Sequence, residues 1–256
     1  MFEYSKNNFI KFISNSYDLK DDKVRHKLNH TLHVVDNSKY LCDKLNLDNE
    51  TKEIAMIIAL LHDIGRFDQA KKLQNFREDI NSYDHATLGI KLLFENNLIR
   101  SFVEFDKYDE IIKIAISNHS KYIVDFDSMD EIQVLHSKII RDADKLDSFR
   151  AKYEDDIYTM ANITQGEIEN SLISDNIFND FMNEKTILSK NRKTPIDIWI
   201  SYIAFIYGLY FDESLNYIRE LDYVNKLVDR FDYKLKDTKD KMKLIRNKGN
   251  NFILNL

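Results

Sequence analysis

Leucine and isoleucine recur every three or four residues along most of the chain, with lysine, glutamate and aspartate between them, which is the spacing of amphipathic helices. Five glycines and one proline, Pro195, supply few turn signals. The pattern therefore predicts an all-α fold. The predicted helices cover approximately residues 5–15, 23–46, 50–64, 84–96, 107–120, 131–152, 164–190, 195–211, 213–231 and 235–253.

Two positions predict helix ends. Thr194 directly precedes Pro195 and predicts a helix start, because a threonine side chain caps free N–H groups and proline is tolerated in the first turn. Gly65 predicts a helix stop, because glycine is the commonest residue just past the end of a helix.

One predicted helix ends in an unusual pair. The apolar residues 57–61 are followed directly by His62 and Asp63. Burying a charge is costly unless the charge is paired or bound to a metal ion. The pair therefore indicates a partner for the carboxylate inside the fold.

Composition limits the kinds of function. The chain has 256 residues, 43% of them hydrophobic, enough for one large core or two small ones. A net charge of −6 argues against nucleic-acid polymers and anionic membranes as partners. The single cysteine, Cys42, excludes an internal disulfide and a thiolate zinc cluster. Without a recognisable signal peptide or membrane span, the sequence predicts a cytoplasmic protein.

Helical periodicity sorts the histidines of the second predicted helix. His30 shares a face with Val34 and Leu41 and is expected to point into the core. His33 shares a face with polar residues and is expected to point into solvent. His26 lies one turn before His30 on the same face, so periodicity leaves its participation open.

Several potential metal ligands are spread over five predicted helices. They are His30, His62, Asp63, His85, His119 and the acidic stretch 141–147. Imidazoles and carboxylates without thiolates suit a first-row divalent ion, and a carboxylate beside a histidine can bridge two ions. A shared metal centre would explain why His62 and Asp63 are adjacent at the end of an apolar helix.

The order of the motifs resembles the HD-domain superfamily of metal-dependent phosphohydrolases. The matching segments are HTLHV at 30–34, LLHDIGR at 60–66, DHATLG at 84–89, NH at 118–119 and DADKLD at 142–147. The resemblance covers approximately residues 20–150. It implies an HD-domain-like helical bundle with additional C-terminal helices, one or two bound metal ions, and hydrolysis of a phosphate monoester, diester or nucleotide.

The resemblance also implies a ligand set. One metal ion would be bound by His30, His62, Asp63 and Asp144. His85 and His119 match histidines found in members with a second ion, which Asp63 would bridge. The set therefore favours a binuclear site over a mononuclear one. Manganese, iron, cobalt, nickel and zinc all fit these ligands, and the sequence does not choose among them.

Other roles stay open for three of these residues. The choice of Asp144 over Asp142 rests on the resemblance, and Asp142 would then be a surface carboxylate or one that supports a ligand. His85 could be an ordinary first-turn residue after the capping Asp84. His119 could interact with the dipole at a helix C-terminus.

Two basic residues follow the ligand motifs, Arg66 in HDIGR and Lys145 in DADK. A basic side chain beside two metal ions could bind the phosphate and stabilise the charge that develops as water attacks. Asp63, Arg66 and Lys145 are therefore the predicted catalytic residues, and Arg66 and Lys145 the predicted substrate-binding residues. The alternative is an ion pair with a nearby acid such as Asp68 or Asp142.

The expected organisation is a metal-binding helical core at residues 1–150, with helices of residues 151–256 packing on it in the same compact domain. An aromatic-rich run at 195–211 predicts core packing. The leading function is hydrolysis of a small phosphorylated metabolite or nucleotide. A diiron oxygenase and a non-catalytic helical binding module are the alternatives, and a homodimer is an open alternative to a monomer.

Overall fold

The computed structural model describes residues 1–73 and 84–255. Helices provide the regular structure of these two ranges, and neither contains a strand, so the all-α prediction is confirmed. None of the helices in these ranges is both long and apolar enough to cross a membrane. The chain divides into two compact units, Met1–Asp147 and Ser148–Leu256. The packing of the C-terminal helices on the core as one domain stays a prediction.

Seven helices belong wholly or in part to the first unit. They are α1 (Phe2–Ser16), α2 (Asp22–Lys44), α3 (Asn49–Leu61), α4 (Ile64–Leu73), α5 (His85–Ile90), α6 (Asp109–Asn118) and α7 (Glu131–Glu154). A π-helical turn, Lys91–Glu95, extends α5. The sequence predicts no helix between residues 64 and 84, and residues 67–83 are expected to form a loop. This expectation is wrong for residues 67–73, which belong to α4, and residues 74–83 lie outside the described ranges.

Helix α3 lies at the centre of the first unit. It contacts α1, α2 and α6, and residues 57–61 are all buried. A helix that is apolar on all sides is expected in this position, because every face has a neighbour to pack against. The end of α3 therefore delivers the residues that follow it into the interior of the unit.

Aspartates fix the starts of three helices in this unit. Asp21 accepts hydrogen bonds from the N–H groups of Lys23 and Val24 at the start of α2. Asp48 and Asp84 accept equivalent bonds at the starts of α3 and α5. Because each cap satisfies N–H groups that the helix leaves free, the caps define where the ligand-bearing helices begin.

The prediction that Gly65 stops a helix is wrong. Gly65 lies in the first turn of α4, and no glycine of the described chain has a positive φ. A Cβ at this position would lie 2.4 Å from the carbonyl oxygen of His85 and 2.9 Å from the nitrogen of Gly89. The glycine is therefore required for the close approach of α4 and α5.

The second unit contains shorter helices than the sequence predicted. They are α8 (Ile157–Ala161), α9 (Gln165–Glu169), α10 (Asp175–Met182), α11 (Pro195–Ile203), α12 (Asp212–Glu220), α13 (Tyr223–Val228) and α14 (Lys236–Leu254). Helix α8 was not predicted. The single helices predicted at 164–190 and 213–231 are wrong, since each is interrupted.

Local polar contacts explain these interruptions. The buried carboxylate of Asp197 accepts hydrogen bonds from the backbone N–H and the hydroxyl of Ser174, which holds the chain between α9 and α10 outside a helix. Asp222 adopts a φ of 56°, a left-handed conformation that separates α12 from α13. The predicted cap at Thr194 and Pro195 is confirmed.

The aromatic run of α11 contributes to the core of the second unit. Trp199 is buried, and its indole N–H donates to the carbonyl of Leu227 at 3.0 Å. Its ring centroid lies 4.7 Å from that of Phe231. Core packing is thus confirmed for Trp199, whereas Tyr210, at the end of the run, is exposed.

Candidate metal centre

His62 and Asp63 lie at the junction of α3 and α4. His62 keeps a helical conformation at the end of α3, with φ −55° and ψ −38°. Its Nδ1 donates to the carbonyl of Ala59 at 2.7 Å. Because Nδ1 carries the hydrogen, the Nε2 lone pair of the neutral ring is available to a metal ion.

His119 is presented in the same way at the end of α6. Its Nδ1 donates to the carbonyl of Ile116 at 2.7 Å, which also leaves Nε2 as the potential ligand atom. Its ring centroid lies 5.1 Å from that of His62. Two helix ends therefore bring together two imidazoles, each held through Nδ1 by a backbone carbonyl.

His30, on α2, is held by a different partner. Its Nδ1 lies 2.6 Å from Oδ2 of Asp147, a buried residue of α7. Burial and the charge of Lys27 act to lower the pKa of His30, but the carboxylates of Asp144 and Asp147 outweigh them and raise it. A carboxylate that orients a histidine through Nδ1 is a common support for a metal ligand.

The first group of potential ligands contains His30, His62 and Asp144, with one oxygen of Asp63. Nε2 of His30 lies 3.2 Å from Oδ1 of Asp144 and 3.6 Å from Oδ2 of Asp63. Nε2 of His62 lies 4.0 Å and 3.5 Å from the same two oxygens. Ligands at about 2.0–2.2 Å from a tetrahedral metal ion are separated by about 3–3.5 Å, so modest adjustment would bring these atoms into range.

The second group contains His85 and His119, with the other oxygen of Asp63. Oδ1 of Asp63 lies 3.3 Å from Nε2 of His85 and 3.6 Å from Nε2 of His119. The two Nε2 atoms are 2.9 Å apart. The structure therefore brings together all six predicted ligands, in two groups that share Asp63.

The buried polar atoms of the centre fit a divalent metal ion. Nε2 of His30 and Nε2 of His62 are both buried without a hydrogen-bond partner. Unsatisfied buried polar atoms are rare and costly, and a cation would satisfy these two lone pairs. The donor set of imidazole nitrogens and carboxylate oxygens suits manganese, iron, cobalt, nickel or zinc.

Burial and neighbouring groups act in opposite directions on the pKa of Asp63. It is buried, and burial alone would raise its pKa. The charge of Lys27 and the neighbouring histidines outweigh burial and hold the pKa of Asp63 well below its usual range. Similarly, the neighbouring imidazole of His30 holds the pKa of Asp144 below its usual range, although partial burial acts to raise it. Both carboxylates are therefore ionised and able to bind a cation.

Arg66 lies beside the centre. Its Nε is 3.9 Å from Oδ1 of Asp63, and one terminal nitrogen donates to Oε1 of Gln69 at 2.7 Å. Asp68, the acid proposed as an alternative partner, accepts a hydrogen bond from the Tyr17 hydroxyl at 2.8 Å. Arg66 is thus within reach of a ligand at the centre and is held there by a neighbouring amide.

Lys145 lies on α7 and is partly buried. Its ammonium donates to the carbonyl of Arg141 at 3.1 Å. Burial, together with the charge of Arg141, lowers the pKa of Lys145 to about 8. Asp142 is fully buried, so the interpretation of Asp142 as a surface residue is wrong.

The remaining histidines lie outside the two ligand groups. His33 is exposed, as predicted, and His26 is only partly buried. Lys27 was missed in the sequence analysis, and Asp147 entered it only within the stretch 141–147, without a role of its own. Asp147 holds His30, and the ammonium of Lys27 lies 2.5 Å from Oδ2 of Asp63. Each lies three residues from a predicted ligand on the same helix, which places it on the same face as that ligand.

A comparison with protein families agrees with this arrangement. The model of the HD domain matches residues 28–148, a range that includes all six predicted ligands. No curated protein and no solved structure gave a significant match to the chain. The match supports membership of residues 28–148 in the HD-domain superfamily.

Proposed function

We propose that this protein is a metal-dependent phosphohydrolase with a binuclear centre, which acts on a small phosphorylated metabolite or nucleotide. HD domains are typical of metal-dependent hydrolases, and residues 28–148 form such a domain. The observation that carries the proposal is the position of Asp63. Its Oδ2 lies 3.5 Å from Nε2 of His62, and its Oδ1 lies 3.3 Å from Nε2 of His85. One carboxylate thus faces two separate groups of nitrogen ligands.

The proposed ligand roles follow from this geometry. His30, His62 and Asp144 would hold one ion, and His85 and His119 the other, with Asp63 as the bridge. Asp147 would orient His30, because it contacts Nδ1 on the far side of the ring from the ion. Bound divalent ions would supply an activated water and polarise a phosphoryl oxygen.

The basic residues of the centre would bind the substrate. Arg66 lies near the Oδ1 side of Asp63 and presents a planar guanidinium suited to two phosphoryl oxygens. Lys145 directly follows Asp144 on α7 and would add positive charge as the leaving oxygen departs. Asp63 would contact both ions and fix the geometry in which the phosphate is attacked.

The charge of the whole chain supports a small substrate. A net charge of −6 gives no general attraction for a nucleic-acid polymer or an anionic membrane. A phosphorylated substrate must then be held by the local positive charge of the centre. We therefore propose a small phosphorylated molecule as the substrate, without a nucleic-acid polymer or a membrane as partner.

The test combines metal analysis with phosphate release. Protein purified without chelator is assayed with an aryl phosphate and a panel of nucleotides, for the wild type, Asp63→Ala and the exposed control Asp36→Ala. The proposal expects metal-dependent release of phosphate in the wild type and control, and a loss of at least about 1000-fold in Asp63→Ala. Absence of turnover with every divalent metal would contradict the proposed reaction.

Two other outcomes would identify the alternative functions. Two irons per chain, with oxygen consumed only when a particular substrate is added and no phosphate released, would indicate an oxygenase. Stoichiometric metal without detectable chemistry, together with tight binding of a nucleotide or protein, would indicate a binding module. Oxygen consumption without phosphate release distinguishes the oxygenase from the proposed hydrolase, and ligand binding without turnover distinguishes the binding module.

A further inference from the structure

We propose that Lys27 is a substrate-binding residue that holds the phosphoryl group at the metal centre and favours a dianionic phosphate. The inference rests on the proposed function, because it assigns the phosphate-binding group of that same site. Nothing in the sequence motifs singles out Lys27. The assignment comes from the position of its ammonium, 2.5 Å from Oδ2 of Asp63.

Helix α2 fixes this position. Lys27 lies three residues before His30, so both side chains project from the same face of the helix. Oδ2 of Asp63, which the ammonium contacts, lies 3.6 Å from Nε2 of His30. The charged end of Lys27 is therefore within the first ligand group, and its side chain is only 12% exposed.

The ammonium and a metal ion cannot both keep this contact. A divalent ion bound by His30 and His62 would lie beside Oδ2 of Asp63 and would repel a positive charge on the same oxygen. The lysine stem is flexible, but its Cα is held in the second turn of α2. The ammonium would move a short distance and stay at the edge of the centre.

A partly buried ammonium beside bound metal ions is repelled by their positive charge, and a bound anion would offset this repulsion. Lysine is a common phosphate ligand and acts as a mobile point charge. Two divalent ions, together with Lys27 and Arg66, would carry more positive charge than Asp63, Asp144 and Asp147 carry negative charge. The surplus of positive charge favours a phosphate monoester dianion over a diester monoanion. The inferred substrate class is therefore a small molecule with a terminal phosphate.

Three variants test this assignment. Lys27→Met removes the charge and keeps a flexible side chain, and Lys27→Arg keeps the charge. Lys39→Met is the matched control, because Lys39 is an exposed lysine on the same helix. Each metal-loaded protein is analysed for metal content, titrated calorimetrically with inorganic phosphate, and assayed with an aryl phosphate monoester and the corresponding diester.

The proposal expects three results. Lys27→Met binds phosphate at least about tenfold more weakly than the wild type, with unchanged metal content. Its kcat/KM falls more for the monoester than for the diester. Lys27→Arg retains most of the phosphate affinity and most of the kcat/KM for the monoester. Lys39→Met behaves like the wild type. A phosphate affinity of Lys27→Met within about twofold of the wild type, or a loss of metal from this variant, would overturn the assignment.

The outcomes separate this inference from the proposed reaction. If the wild type binds phosphate through Lys27 but hydrolyses no ester, the proposed reaction fails and the binding role of Lys27 stands. If the wild type hydrolyses esters and Lys27→Met binds phosphate normally, the reaction stands and the role of Lys27 fails.

Discussion

Nδ1 of His30 and Oδ2 of Asp147 are 2.6 Å apart, although the two residues are separated by 117 positions in the sequence. The contact joins α2 to α7 and directs Nε2 of His30 towards Asp63 and Asp144. A ligand atom is therefore oriented by a carboxylate that does not itself belong to either ligand group.

Replacing Asp147 with asparagine is expected to weaken metal binding. The substitution removes the negative charge that raises the basicity of His30, and comparable supporting residues contribute about 10- to 100-fold in metal affinity. The measurement is the metal dissociation constant, obtained by competition with a chelator of known affinity. Asp36→Asn, an exposed position on α2, is the control. Equal metal affinities in the two variants would contradict the role of Asp147.

Replacing Gly65 with alanine is expected to separate α4 from α5. The new Cβ would lie 2.4 Å from the carbonyl oxygen of His85, a backbone atom that cannot rotate away. We expect the free energy of unfolding to fall by about 1–3 kcal/mol, as for other overpacked sites, and the second metal ion to bind more weakly. Urea denaturation and elemental analysis measure the two effects.

Gly166→Ala is the matched control for this substitution. A Cβ at Gly166 would meet no atom within 4 Å, and the residue lies in α9. Alanine is the better helix former, so the control is expected to be unchanged or more stable by up to about 1 kcal/mol. If Gly65→Ala were as stable as Gly166→Ala, the close approach would not explain the glycine.

His136 is expected to make stability depend on pH. It is buried on α7, and neither ring nitrogen has a hydrogen-bond partner. Burial lowers the pKa of His136 to about 4. Between the unfolded pKa of about 6.5 and this value, the unfolded chain binds a proton that the folded chain does not. The free energy of unfolding should therefore decrease as the pH falls through this window.

His136→Leu tests this expectation. From pH 7 to pH 5, the wild type should lose about 2 kcal/mol more stability than the variant, because leucine cannot be protonated. Urea denaturation at both pH values, in the presence of chelator, gives the difference. The same substitution at the exposed His33 controls for the loss of a histidine. Parallel pH dependence in the wild type and His136→Leu would contradict the prediction.

Sequence reasoning worked where local signals agree with the tertiary structure. The periodicity of α2 placed His30 in the interior and His33 in solvent, and both placements are confirmed. The cap at Thr194 is also local, since its partner Asp197 is three residues away. The six predicted ligands were found through ordered motifs, and the structure brings them together.

Sequence reasoning failed where distant residues decide the structure. Gly65 looks like a helix stop, and only its distance to His85 reveals the reason for a glycine. The break before α10 depends on Ser174 contacting Asp197, 23 positions later. Lys27 follows no motif, and its importance depends on the chain bringing Asp63 to it from 36 positions away.

The measurement that tests the central claim most directly is the number of metal ions per chain. Protein purified without chelator is analysed for the wild type, His119→Ala and Asp63→Ala. The account predicts about two ions in the wild type, about one in His119→Ala, and a loss from both sites in Asp63→Ala, because Asp63 faces both ligand groups. At most one ion in the wild type, or a full complement in Asp63→Ala, would contradict a binuclear centre bridged by Asp63.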